Sequence, residues 1–126
     1  MPKISVLMSV YNCEKTVRKS IDSIIDQTFQ DWEFIICDDG SSDDTYKLVQ
    51  EIAEEEPRIV LIKNDRNRGL SYSLNHCLKV AKGIYCARMD GDDLCDPHRF
   101  EKQVEFLDNN KEYGFVSCLL YTSDAA

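Results

Sequence analysis

The sequence predicts an α/β fold built on a mostly parallel sheet with helices on its faces. Three observations carry this. Short apolar runs rich in β-branched residues recur four times, each is followed by apolar residues at helical spacing, and polar turns separate the two kinds of segment. In such sheets ligands bind in the crevice beyond the carboxyl ends of the strands, so the residues that follow each strand are the first candidates for function.

Residues 4–10 are almost continuously apolar and lie between Pro2 and Asn12, the pattern of a central strand buried on both faces. Asn12 is expected to cap the next helix, in which Val17, Ile21, Ile24, Ile25 and Thr28 share a face until residues 29–31 interrupt it. Residues 33–37 form the second strand and 38–42 a polar turn. Ser41 and Asp44 resemble a capping box ahead of Leu48, Val49, Ile52 and Ala53, and Pro57 ends that helix. Residues 59–62 are the third strand. The polar loop 63–69 leads into a helix whose Leu70, Leu74, Cys77, Leu78 and Ala81 are expected on one face, stopped by Gly83. Residues 84–89 are the fourth strand, and Pro97 is expected at the first position of a last helix carrying Phe100, Val104 and Leu107. Trp32, Tyr72 and Tyr85 read as packing aromatics, and His76 and His98 as surface or boundary residues.

With 126 residues, 43% of them hydrophobic, the chain is expected to form one domain with a real core. Fifteen basic against 23 acidic residues give a net charge of −8, which disfavours a nucleic-acid groove or an anionic membrane surface. No apolar run approaches the roughly eighteen residues of a membrane span, and the first residues lack a signal-peptide pattern, so the visible chain is expected to be soluble and cytoplasmic. Six cysteines occur without a Cys-x-x-Cys pair or a suitably spaced His, which argues for free thiols in a reducing compartment. The tail 118–126 back-translates into the read-through of a transposon sequencing adapter. It is expected to be non-native, with the natural protein continuing beyond Ser117; a native strand over 115–120 is the other reading.

Residues 89–93 read Met-Asp-Gly-Asp-Asp directly after the fourth strand. The carboxylates of Asp90, Asp92 and Asp93 repel one another unless a cation joins them. Hard oxygen ligands suit Mg²⁺ or Mn²⁺, which keeps one or two protein carboxylates and takes its other ligands from water and substrate phosphates. The plain alternative is a solvated acidic turn, because Asp and Gly are ordinary turn residues. Ser9, Tyr11 and Asn12 follow the first strand and Asp38 and Asp39 the second, so an aromatic, a carboxylate pair and the acidic turn share one sheet edge. An aromatic can stack on a base, and a carboxylate can accept from a base N–H; Asp38 and Asp39 also read as a simple helix cap. The absence of glycine from residues 11–15 excludes a dinucleotide fingerprint and a P-loop, and neither 39–50 nor 90–101 satisfies a calcium loop. A haloacid-dehalogenase phosphotransferase would need Asp-x-Asp where Tyr11-Asn12 stands. A response-regulator receiver would need acids there and an Asp where Lys63 and Asn64 stand.

Ser5-Val6-Leu7-Met8-Ser9-Val10-Tyr11-Asn12, Glu33-Phe34-Ile35-Ile36-Cys37-Asp38-Asp39-Gly40-Ser41, Asn67-Arg68-Gly69 through Asn75, and Gly83-Ile84-Tyr85 running into Asp90-Gly91-Asp92-Asp93 resemble the family 2 glycosyltransferases in order and spacing. The resemblance spans residues 3–117 and is nearest to bacterial exopolysaccharide and cell-surface polysaccharide transferases. It implies a truncated, Rossmann-like GT-A fold with helices on both faces, residues 1–117 being the nucleotide-sugar-binding half. It also implies a UDP-sugar donor and a saccharide or lipid-linked acceptor. Ser9 and Tyr11 match the base pocket, Tyr11 stacking on uracil, and Asp39 the carboxylate on the uracil N3–H. Asp90 matches the residue near the ribose and Asp92 the ligand of a Mg²⁺ or Mn²⁺ ion that bridges the diphosphate, with Asp90 and Asp93 completing the metal set. Arg68 and Asn75 match residues flanking the nucleotide.

In that family the metal neutralises a diphosphate leaving from an oxocarbenium-like transition state, and a general base later in the chain deprotonates the acceptor. That base is expected beyond Ser117, inversion is the expected outcome, and the fragment alone is expected to catalyse little. Any membrane attachment, at the cytoplasmic face of the inner membrane, is expected in the later part. The rival readings are a non-catalytic nucleotide-binding or regulatory module and a receiver-like acidic domain.

Overall fold

A computed structural model describes residues 1–110. The expected strand over 115–120, the suspected non-native tail and the expected catalytic base therefore lie outside the described residues. Eight elements alternate: β1 (Ile4–Val10), α1 (Val17–Ile25), β2 (Trp32–Asp38), α2 (Thr45–Glu55), β3 (Ile59–Lys63), α3 (Leu70–Val80), β4 (Tyr85–Asp90) and α4 (Arg99–Asn109).

The strands form one sheet in the order β3-β2-β1-β4, every pair parallel. β1 is central, which explains its continuous apolar run. Ile4 pairs with Trp32 on one side and Tyr85 on the other. The order reverses at β1: the chain steps outward to β2 and β3, then crosses back to β4. That reversal opens a crevice at the carboxyl ends of β1 and β4.

Alternate residues divide the core between the two faces. Val6, Met8, Val10, Phe34 and Ile36 pack with Val17, Ile21 and Ile24 of α1, Val49 and Ile52 of α2, and Phe100 and Val104 of α4. Leu7, Ile35 and Cys37 point the other way, against Cys77 of α3 with Leu74, Val80 and Ala81 at its margin. All five cysteines among the described residues are free, and no described helix is long and apolar enough to cross a membrane.

Several local expectations are corrected. Asn12 does not cap α1, which starts at Val17 with Thr16 at the cap position; Asn12 instead adopts a left-handed backbone, φ 48°, and bonds to the loop after β2. The Ser41–Asp44 capping box does not form, because the Ser41 hydroxyl accepts the Asn12 N–H and the Asp43 carboxylate takes the Thr45 N–H. Pro97 stands two residues before α4, in a turn whose carbonyl accepts the Thr28 N–H at 2.9 Å, and Thr28 itself lies past the end of α1. On α3, Leu74, Cys77 and Ala81 of the expected face pack inward, but Leu70 and Leu78 are exposed and Ser73 is buried in their place, bonded to Asn64 beneath the helix. Tyr72 is exposed, unlike Trp32 and Tyr85, and Ile84 precedes β4 rather than belonging to it.

Candidate functional site

The carboxyl ends of the strands open into a crevice of about 790 Å³. Ser9 and Tyr11 enter from the end of β1, residues 12–16 from the loop into α1, and Asp39 and Asp43 from the turn after β2. Asn67, Gly69 and Leu70 come from the approach to α3, and Gly91 and Asp92 from the turn after β4. The sheet therefore brings Ser9, Tyr11, Asp39 and Asp92 to one cavity.

Tyr11 is half exposed there, leaving its ring available as a stacking surface. Asn12, next to it, carries the left-handed backbone that turns the chain away from β1. Its Oδ1 accepts the Ser42 N–H at 2.8 Å and the Asp43 N–H at 3.3 Å, while its own N–H donates to Ser41 Oγ at 3.0 Å. The Cys13 N–H donates to Thr45 Oγ1 at 2.9 Å, and these bonds staple the two loops that form one wall. Burial pushes the Cys13 thiol above its ordinary range, so it lines the crevice as a neutral thiol rather than a nucleophile. The Thr45 hydroxyl, bonded to Asp43, holds that carboxyl below the usual carboxylate range.

Asp39 is almost fully buried. Its Oδ1 accepts from Asn64 Nδ2 at 2.8 Å and the Arg68 N–H at 2.7 Å, and its Oδ2 accepts the Gly69 N–H at 3.0 Å. A carboxylate offers roughly four lone-pair sites, so Asp39 anchors the loop ahead of α3 and keeps about one for a ligand. Asn64, a residue the sequence did not single out, is buried between Asp39, Ser73 and His76: Nδ2 serves the first two, and Oδ1 lies 3.0 Å from His76 Nδ1. Because the Asp39 carboxylate only accepts, Nδ2 must face it, and His76 must then donate from Nδ1.

Two expected site residues point elsewhere. The Arg68 guanidinium forks onto Asp65 with two 2.8 Å bonds and lies 5.1 Å from the Tyr72 ring centre, so that only its backbone N–H serves the site. Asn75 lines a separate depression on α3 with Tyr72, His76, Leu78 and Lys79.

The acidic residues after β4 form a tight turn. The Asp93 N–H donates to the Asp90 carbonyl at 3.1 Å, and Asp93 Oδ2 reaches back to the Asp90 N–H at 3.2 Å. Asp90 Oδ1 accepts from Arg88 at 3.3 Å. A Cβ on Gly91 would lie 2.9 Å from Cys13 Sγ and 3.1 Å from Val10 Cγ1, so glycine lets the turn sit against the opposite loop without displacing either side chain. The Gly91 carbonyl accepts from both Thr16 Oγ1 at 3.1 Å and Ser20 Oγ at 3.0 Å. Thr16, Ser20, Ser23 and Gln27 follow one another at helical spacing, and this polar stripe was the available sequence signal for how the turn is held.

Among the described residues no group of three or more His, Cys, Asp or Glu side chains converges into a ready-made cage, so the metal set of Asp90, Asp92 and Asp93 read from the sequence would leave most of the coordination to phosphate and water. The Asp90 carboxylate meets Arg88 through Oδ1, and the Asp93 carboxylate closes the turn through Oδ2. Asp92 alone projects into the crevice, exposed and with no hydrogen bond or ion pair among the described residues. Glu14, Asp39, Asp43 and Asp92 line the cavity against one lysine, Lys15, and a diphosphate would meet net repulsion there without a divalent cation. One hard carboxylate beside open, acid-lined space fits Mg²⁺ or Mn²⁺ bound mostly by phosphate and water.

The model of glycosyl transferase family 2 matches residues 5–125. The chain belongs to that family. It is 50% identical over 116 residues to the putative glycosyltransferase EpsE of Bacillus subtilis strain 168, an alignment covering 91% of the chain and 42% of EpsE. It is 35% identical over 113 residues to the UDP-Glc:alpha-D-GlcNAc-diphosphoundecaprenol beta-1,3-glucosyltransferase WfaP of Escherichia coli, covering 90% of the chain and 44% of WfaP. The chain thus spans less than half the length of these relatives. Among solved structures, S. aureus TarS 1-349 in complex with UDP superposes with a TM-score of 0.78 and 26% identity over 85% of this chain and 32% of TarS. The mannosyltransferase PcManGT of Pyrobaculum calidifontis, in complex with GDP-Man and Mn²⁺, gives 0.79 and 26% over 84% of the chain and 32% of PcManGT. The parallel sheet and its helices are those of a GT-A glycosyltransferase.

Proposed function

We propose that this chain is the donor-binding half of a glycosyltransferase that takes a UDP-sugar, with a divalent cation, and serves a saccharide or lipid-linked acceptor in exopolysaccharide or cell-surface polysaccharide synthesis. One observation carries the reading: the reversal of strand order at β1 gathers an exposed aromatic, a buried carboxylate and one unpaired acid in a single acid-lined crevice. The name of WfaP supports a UDP-sugar donor and a lipid-linked acceptor, and the UDP bound by TarS supports the nucleotide.

In this reading Tyr11 stacks on the base, with Ser9 beside it. Asp39 accepts the base N–H on its remaining lone pair, a reading supported by the three bonds that fix its carboxylate in the crevice wall. Asp92 is the protein ligand of Mg²⁺ or Mn²⁺, which when bound supplies Lewis-acid neutralisation of the departing diphosphate. Asp90 lies toward the ribose, and Asp93 closes the turn that carries Asp92. No described carboxylate is assigned as the acceptor's base, and inversion is the stereochemistry we assign to the whole enzyme.

Calorimetric titration with UDP, with and without Mn²⁺ and with GDP and ADP as controls, tests this. UDP-selective binding that strengthens with Mn²⁺, and an Asp92→Ala variant that folds but has lost the metal effect, are the expected results. Equal affinity for UDP and ADP would remove the base assignments, and an unchanged metal effect in Asp92→Ala would remove the metal assignment.

A further inference from the structure

The hydroxyls of Thr16 and Ser20 converge on one backbone oxygen, the carbonyl of Gly91, at 3.1 and 3.0 Å. Ser20 is fully buried and does not line the crevice, so its hydroxyl touches no ligand there. The Gly91 carbonyl and the Asp92 N–H belong to one rigid peptide plane. Two donors on that oxygen therefore set the orientation of the plane and the direction in which Asp92 leaves the turn. Asp93, bonded through both its N–H and its carboxylate to the Asp90 backbone, fixes the other side.

Farther along the same stripe, Ser23 Oγ accepts the Cys95 N–H at 3.1 Å and Gln27 Nε2 donates to the Asp96 carbonyl at 2.7 Å. Every one of these contacts ends on backbone. The helix thus governs the path of the turn and consumes none of the carboxylate capacity that a cation would use. Asp92 keeps its oxygens because α1 holds the neighbouring peptide instead.

We propose that Ser20, aided by Thr16, is a positioning residue for the metal ligand Asp92: it presets the carboxylate for a cation bound with a nucleoside diphosphate and touches neither. This rests on the donor-binding reading given above.

The test compares the full wild-type chain with Ser20→Ala and Ser23→Ala. It measures UDP affinity with and without Mn²⁺ and the electron paramagnetic resonance spectrum of Mn²⁺ bound in the presence of UDP. Ser20→Ala is expected to lower the Mn²⁺-dependent gain in UDP affinity about tenfold, the order of one lost hydrogen bond, and to leave metal-free UDP affinity unchanged. Its bound Mn²⁺ spectrum is expected to broaden. Ser23→Ala, which breaks a bond from the same helix to the same loop beyond the acidic turn, is expected to keep the full gain. Thr16→Val, at an exposed position, gives a second route to the same loss if Ser20→Ala does not fold, and Thr16→Ser should restore it. A folded Ser20→Ala with an undiminished gain, or with equal losses in the presence and absence of metal, overturns the proposal alone. A wild-type chain without any Mn²⁺-dependent gain overturns the donor-binding reading and the proposal with it.

Discussion

Asn12 carries two burdens at one position. Its backbone is left-handed, which costs an L-residue roughly 1 kcal/mol or more and costs glycine little. Its side chain meanwhile accepts bonds from Ser42 and Asp43 that hold the β1 and β2 loops together. Replacement by alanine removes the side-chain bonds and keeps the conformational cost, whereas replacement by glycine removes the bonds and relieves that cost. Asn12→Ala is therefore expected to be less stable than Asn12→Gly by about 1 kcal/mol, read as the difference in urea-unfolding free energy. Equal stabilities would mean that the left-handed backbone relaxes on substitution. At this scale the sequence located the polar residue after the first strand and misjudged its partner. A helix cap is a local bond, but the partner Asn12 takes lies 30 residues away, and no local pattern announces it.

For elements, the apolar face of α1 was readable because Val17, Ile21 and Ile24 recur at helical spacing and all three are buried. The second inward-facing stripe has a helical spacing in the sequence, but counting apolar residues alone leaves Ser20, Ser23 and Gln27 to solvent. Gln27 shows what that stripe does: it is buried, its Nε2 donates to the Asp96 carbonyl, and its Oε1 accepts the Phe100 N–H at 3.1 Å at the start of α4. Gln27→Ala leaves those two groups without their partner and is expected to cost about 2–3 kcal/mol, seen as a lower melting temperature. A change within error would show that water or a shifted loop replaces the amide. The same reasoning explains α3, where Leu74, Cys77 and Ala81 pack inward as the pattern suggested and Ser73, bonded to Asn64 and to the Gly69 carbonyl, joins them while Leu70 and Leu78 stay exposed.

Across the whole molecule, the alternation of strands and helices was legible because a parallel sheet demands apolar strands and crossover helices. The site edge was legible for the same reason: carboxyl ends of parallel strands lie together, so Tyr11, Asp39 and Asp92 could be grouped before any coordinate was known. What the strands do not encode is how their following residues spend their hydrogen bonds. Asp93 gives one carboxylate oxygen to the Asp90 N–H, Asp90 gives one to Arg88, and Arg68, expected to flank the nucleotide, turns its guanidinium onto Asp65. Each was claimed by a neighbour too close, or too far along the chain, for spacing alone to arbitrate.

The central place of β1 also fixes an order of events in time. Ile4 finds Trp32 after a short stretch of chain, but its other partner, Tyr85, lies much farther along, beyond two further strands and three helices. Closing the longer loop costs more chain entropy and, during synthesis, must wait for the later residues to emerge. Pulsed hydrogen exchange during refolding should protect the amides shared by β1 and β2 before those shared by β1 and β4; simultaneous protection would contradict this. The edge bearing the acidic turn is then the last to dock, and a nascent chain acquires the wall that carries Tyr11 and Asp39 before the turn that carries Asp92.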